Sequence, residues 1–117
     1  MSMTLGELIE ELKNLDPEAW VYIKPYDLVP TGFDSYRGYY EDLALNFDTK
    51  GICEVKTLLK WAENTVGKTL LGYKGGEFYM GWKTPVWLSN YGKVSSMMLS
   101  KIEAFDGYVY LYGEKEE

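Results

Sequence analysis

Arg37 lies in the stretch Pro30 to Leu45, PTGFDSYRGYYEDLAL, with Phe33, Tyr36, Tyr39 and Tyr40 around it and Tyr26 just upstream. It is the only arginine among the chain's 12 lysine and arginine residues. A guanidinium is a planar fork of donors that also stacks on rings, so it suits carboxylate or phosphate recognition better than an ammonium does. Gly32 and Gly38 let the backbone turn tightly or approach a ligand closely. Arg37 therefore has two readings. It grips a phosphate or carboxylate while Phe33, Tyr36 or Tyr39 stacks on a ring. Alternatively, it pairs with Asp34 or Asp42 and covers apolar surface.

Two further groups have chemical potential. Lys74-Gly75-Gly76 offers backbone amides and one ammonium to a phosphate, or is a plain hairpin turn. It does not match the phosphate loop of nucleotide hydrolases, which needs a longer glycine spacing and a following Ser or Thr. Asn90, in Ser89-Asn90-Tyr91-Gly92, carries a donor and an acceptor that together read a base edge, or it tolerates a turn.

Composition narrows the chemistry. There is no histidine, which removes the commonest general base and metal ligand. With one cysteine, Cys53, neither a disulfide nor a zinc site is expected, and Cys53 reads as a small core residue. No catalytic residue, metal or cofactor is assigned. The net charge of −6 argues against long nucleic acids, whose affinity comes mostly from phosphate neutralisation, but permits one small anion in a local pocket. Eleven tyrosines are many for 117 residues. They indicate a binding surface, or half-buried positions of a β-rich fold. No apolar run reaches membrane-spanning length and no signal peptide is visible, so a soluble, cytoplasmic setting is expected.

The elements that must position these residues follow from periodicity. Thr4-Leu5-Gly6-Glu7 is a capping box, and Leu5, Leu8, Ile9 and Leu12 predict a helix over Leu5 to Asn14, stopped by Asp16-Pro17. Trp20 to Lys24 reads as a strand. Pro25 and Pro30 bracket an irregular segment, and Phe33 to Tyr40 is a loop or bulged strand. From Asp42 to Asp48 the alternation predicts a half-buried strand, with Leu43, Leu45 and Phe47 on one face and Ala44 and Asn46 on the other. A second helix runs from about Val55 to Val66 and stops at Gly67. Its Trp61 lies off the apolar stripe, placed for a sheet edge or subunit contact.

The remainder reads as strands. Lys68 to Tyr73 and Glu77 to Met80 flank the Lys74-Gly75-Gly76 turn. Val86 to Leu88 follows Pro85, which fits a strand's first position or a sheet edge. Val94 to Phe105 and Tyr108 to Tyr112 flank Asp106-Gly107, a strong hairpin signal. In that last strand the tyrosines share one face and Val109 and Leu111 the other. The expected fold is a single α+β domain over 1–117, with a mainly antiparallel sheet and two helices packed on it.

PTGFDSYRGYYEDLAL and, downstream, GKTLLGYKGGEFYM and TPVWLSNYG resemble the phage Thoeris anti-defence type 1 sponge family, over a span from the first helix to about Gly92. The resemblance implies a phage protein in the host cytoplasm that sequesters, without cleaving it, a cyclic ADP-ribose isomer made by bacterial TIR-domain immune sensors. It implies a homo-oligomer, dimer or hexamer, with pockets at protomer interfaces, and some members also hold cyclic oligonucleotides. By the same resemblance, Arg37 contacts the pyrophosphate, Phe78 or Tyr79 packs on the adenine, and Asn90 hydrogen-bonds the ligand. The family also uses an arginine from its C-terminal part, which this chain lacks; Tyr110, Tyr112 or Lys115 would substitute by stacking or charge. Two other readings stand beside this one. The first is an acidic protein-interaction module that inhibits a host protein. The second is an enzyme working through carboxylates such as Asp34 and Glu41, for which no motif is present.

Overall fold

The computed structural model describes residues 2–36, 41–72, 75–89 and 97–115. Helix α1 spans Leu5–Lys13 and has the expected capping box: Glu7 N–H donates to Thr4 Oγ1, and Thr4 N–H donates to Glu7 Oε1 at 2.8 Å. Asn14 closes the helix as its C-cap. Strand β1 covers Trp20–Ile23, β2 Val29–Ser35 and β3 Leu43–Asp48, and helix α2 covers Val55–Thr65. Then come β4 (Thr69–Leu71), β5 (Glu77–Tyr79), β6 (Val86–Leu88), β7 (Met97–Phe105) and β8 (Tyr108–Lys115).

Six strands form one mixed sheet in the order β1-β8-β7-β6-β3-β2, and β4 pairs with β5 as a small separate sheet. The fold is α+β and sheet-dominated. The pairings β2·β3, β6·β7, β7·β8 and β4·β5 are antiparallel. Two, β1·β8 and β3·β6, are parallel, which the run of strands in sequence did not suggest. Parallel neighbours need a connection that crosses over. Here Asp48 to Pro85, including α2, supplies it for β3 and β6.

Both helices pack on one face of this sheet. Leu5, Leu8, Ile9 and Leu12 of α1 and Val55, Leu58 and Ala62 of α2 meet Val21, Ile23, Leu43, Leu45, Val86, Leu88, Val109 and Leu111 in one buried cluster. Fully burying each such side chain stabilises by roughly 1.5–3 kcal/mol. Trp61 is half-buried against the same core.

The structure refines the sequence expectations at four points. Pro30 lies inside a strand, because β2 is the sheet's outermost strand and bulges between Pro30 and Gly32. Of the two readings of Phe33 to Tyr40, a loop or a bulged strand, the strand one holds over Phe33 to Ser35, which continue the strand that bulges at Pro30 to Gly32; residues 37–40 lie outside the described residues. Strand β3 is covered on both faces over Leu43 to Asn46, since Ala44 packs under Tyr36 and Trp87. Strand β6 is interior: Pro85 sits just ahead of it, and Val86, Trp87 and Leu88 are all buried. The Asp106-Gly107 turn forms as expected, with φ of 52° and 87° at its two residues, the left-handed pair that a two-residue hairpin requires. Among the described residues, no helix is long and apolar enough to cross a membrane.

Cys53 is buried, and burial pushes its thiol from the ordinary 9.0 up to about 12. The folded value lies above the unfolded one, so this contribution to stability is intact below about pH 9 and is lost as pH rises toward about 12. Alkylation in mildly alkaline buffer should leave Cys53 unmodified in the folded protein and label it fully in denaturant. Rapid labelling of the folded chain would contradict the burial described here.

Candidate ligand-binding cleft

The residues Gly81 to Pro85 make a tight loop between β5 and β6. Gly81 N–H donates to Thr84 Oγ1 at 2.8 Å, and Thr84 N–H donates back to Gly81 C=O at 3.2 Å. The first amides of α1 have no partners within the helix. This loop supplies them: Leu5 N–H donates to Thr84 C=O at 2.8 Å, and Gly6 N–H donates to Trp82 C=O at 2.9 Å. A Cβ on Gly6 would lie 2.7 Å from Trp82 Cε3 and 2.9 Å from Trp82 O, so the indole rests on the helix at the one position without a side chain. Tyr79 behaves likewise: its ring lies over Gly81, with Cε2 3.1 Å from where a Cβ would stand. Both rings are held from below and remain open above, Tyr79 at 65% and Trp82 at 53% exposure.

Glu41 and Asp42 line the same space. Tyr36 is buried, its ring stacked on Trp87 with centroids 4.4 Å apart and planes 8° apart. The Trp87 indole N–H donates to Asp42 Oδ2 at 2.9 Å, and Tyr36 N–H donates to Asp42 C=O at 2.8 Å. Leu43 N–H donates to Pro85 C=O at 2.9 Å and ties this segment to the loop. The space is a cleft of about 460 Å³, lined by Glu41, Asp42, Tyr79, Trp82, Lys83 and Thr84 among others. Two fixed aromatic faces, two carboxylates and one ammonium around that volume can stack on a planar ring, accept hydrogen bonds from its amine and pair with an anion.

The sheet face away from the helices is a separate feature. Trp20, Tyr108 and Phe105 are cross-strand neighbours on it, as are Tyr22, Tyr110 and Glu103 in the next row. Lys24 Nζ lies 4.9 Å from the Tyr110 ring centre, and Lys101 Nζ lies 4.8 Å from that of Tyr112. The hydrogen bond from Lys24 to Asp27 raises the Lys24 pKa; desolvation, then hydrogen bonding to Glu103, raises that of Tyr112.

The structure separates residues that the sequence grouped. Tyr79 lines the cleft, whereas Tyr110 belongs to the open sheet face. Phe33 and Phe78 are half-buried against the core and are not among the residues lining the cleft; their cross-strand partners are Leu45 and Leu70 respectively. Tyr36 is only 4% exposed and its ring face is occupied by Trp87, so it supports Asp42 rather than offering a stacking surface. Arg37, Tyr39, Lys74 and Asn90 lie outside the described residues. Trp82, Lys83 and Trp87 were missed; the Gly6–Trp82 contact that positions the cleft spans most of the chain and leaves no local pattern. Compared with protein-family models, curated proteins and solved structures, the chain matches nothing in any of the three.

Gly6→Ala tests the packing. Helix propensity alone predicts a gain of about 1 kcal/mol. The clash with Trp82, part of it with backbone, predicts a loss of about 1–3 kcal/mol. Denaturant unfolding should show the loss, together with altered Trp82 fluorescence; a gain in stability would mean that the indole does not rest on Gly6.

Proposed function

We propose that this cleft binds a small nucleotide-derived molecule, and that the protein sequesters it without turnover. The observation that carries the reading is the pair of exposed rings, Tyr79 and Trp82, each against a glycine and lining one cleft together with two carboxylates. Exposed aromatic side chains fixed in place suit base stacking, since little motion remains to be lost on binding. Glu41 and Asp42 would accept from an exocyclic amine, and Lys83 would pair with a phosphate. Arg37 precedes Glu41 by four residues, and the family resemblance assigns it to the pyrophosphate. The absence of histidine suits a binder that must not turn its ligand over. The ligand class we propose is a cyclic ADP-ribose isomer, and the role is that of a phage anti-defence protein in the host cytoplasm.

The test is incubation of purified protein with cyclic ADP-ribose isomers and cyclic oligonucleotides, removal of free ligand, heat denaturation and mass spectrometry of the supernatant. Intact ligand is the expected release. A chemically altered product would mean an enzyme. Retention of a host protein with no small molecule would favour an acidic interaction module, which the −6 charge also suits. Arg37→Ala and Trp82→Ala should each lower affinity at least tenfold, about 1.4 kcal/mol, with an unchanged near-ultraviolet dichroism outside the Trp82 contribution.

A further inference from the structure

Strand β7 is longer than the neighbour on its β6 side. Among the described residues, β6 pairs only with Met97 and Met98, the first two of its nine residues. Leu99 is covered as well, since its C=O accepts from Met3 N–H at 2.7 Å. The N-terminal segment then turns into α1, and Lys101 to Phe105 runs on as an edge paired with β8 on its other side. The neighbouring strands fix where its backbone groups point. Leu111 C=O accepts from Lys24 N–H at 2.9 Å, so Leu111 turns its backbone toward β1 and away from β7. Successive pairs of an antiparallel ladder alternate in this respect. Ile102, opposite Leu111, and Ala104, opposite Val109, therefore direct both N–H and C=O out of the sheet edge. Among the described residues, no hydrogen bond reaches those outward groups.

We infer that this edge takes up an extended, basic segment of another protein as an added strand. Such a segment satisfies both outward groups of Ile102 and of Ala104, as strand addition to an open sheet edge does. Its side chains alternate between the two faces. Those opposite Ile102 and Ala104 fall on the helix side, where Ile102 packs on the core, and suit apolar residues. Those between fall beside Glu103 and Phe105 on the other face. A carboxylate and a ring that is 71% exposed both suit lysine or arginine, and Lys101 already lies in this way 4.8 Å from the Tyr112 ring centre. Lys101 Nζ is 3.3 Å from the Glu103 carboxylate, an exposed pair that leaves acceptor capacity free. Glu7 and Glu11 of α1 line a groove together with Ser100, at the entry to the edge, and add negative charge there. A second copy of this chain fits less well. The antiparallel register that uses Ile102 and Ala104 of both copies sets Glu103 opposite its own counterpart, at a like-charge cost. The inference does not depend on what the cleft binds.

The experiment uses the full chain and two end-blocked peptides of about eight residues, one alternating valine with lysine, the other valine with glutamate. Binding is followed by fluorescence anisotropy and by amide hydrogen exchange. The lysine peptide should bind saturably, at least about tenfold tighter than the glutamate peptide. The amides of Ile102 and Ala104 should exchange freely in the unbound chain and become protected in the complex. Ala104→Pro removes one outward N–H and leaves the ladder with β8 whole, so the fold is kept and the lysine peptide should bind at least about tenfold more weakly. Glu103→Lys should reverse the preference between the two peptides. Failure of the lysine peptide to bind, binding that leaves both amides unprotected, or an Ala104→Pro variant that binds as the wild type does overturns the inference. A Glu103→Lys variant that still prefers the lysine peptide overturns the chemistry assigned to the partner. Protection of the two amides that rises with protein concentration in the absence of peptide would give the edge to a second copy instead.

Discussion

The backbone of residues 84–86 holds this structure together. Thr84 C=O accepts from Leu5 at the start of α1, Pro85 C=O accepts from Leu43 at the start of β3, and Val86 N–H donates to Met3 C=O. One short segment therefore joins the N-terminal helix, the middle of the sheet and the strand that follows it. It is also the entry to β6, whose three residues are buried and link β7 to β3. A strand that short gains little from its own ladder. Its place is kept by burial on both faces, with Val86 and Leu88 toward the helices and Trp87 under Tyr36.

The cleft is a consequence of that junction. The loop that caps the helix amides is the same loop that carries Trp82 and Lys83, and the strand tied to Pro85 is the one preceded by Glu41 and Asp42. Two glycines lie under the rings: a side chain at Gly6 would run into Trp82, and one at Gly81 would crowd the edge of Tyr79. The Trp87 indole has two roles, stacking on Tyr36 and donating to Asp42. Stability and site geometry thus rest on the same few contacts, so a site change there is also a packing change.

The two faces of the sheet differ for a related reason. Strands β1 and β8, and β7 beyond its irregularity at Leu99 to Lys101, alternate: aliphatic toward the helices, aromatic or charged away from them. Both helices are needed to cover the aliphatic side, and neither is left for the other. Lysine stems and tyrosine rings take up that exposed surface between them, as amphipathic side chains do at a boundary with water.

Much of the fold was legible in the chain because the signals are local. The capping box at Thr4 and Glu7, the leucine spacing of α1, the Asp106-Gly107 turn and the alternation of Tyr108 to Tyr112 each concern residues within a few positions of one another, and all four hold in the structure. The α+β class followed from them. Tertiary structure decided the rest. Whether Pro30 or Pro85 marks an edge depends on which strands lie beside it, and β2 proved outermost while β6 proved interior. Tyr36 and Tyr79 look alike as aromatic residues in glycine-containing stretches. One is buried because Trp87, far along the chain, stacks on it; the other stays open because its ring rests on Gly81 at the mouth of a cleft. Residue type and spacing determine which side chains are able to bind, whereas long-range pairing determines which of them remain available to do so.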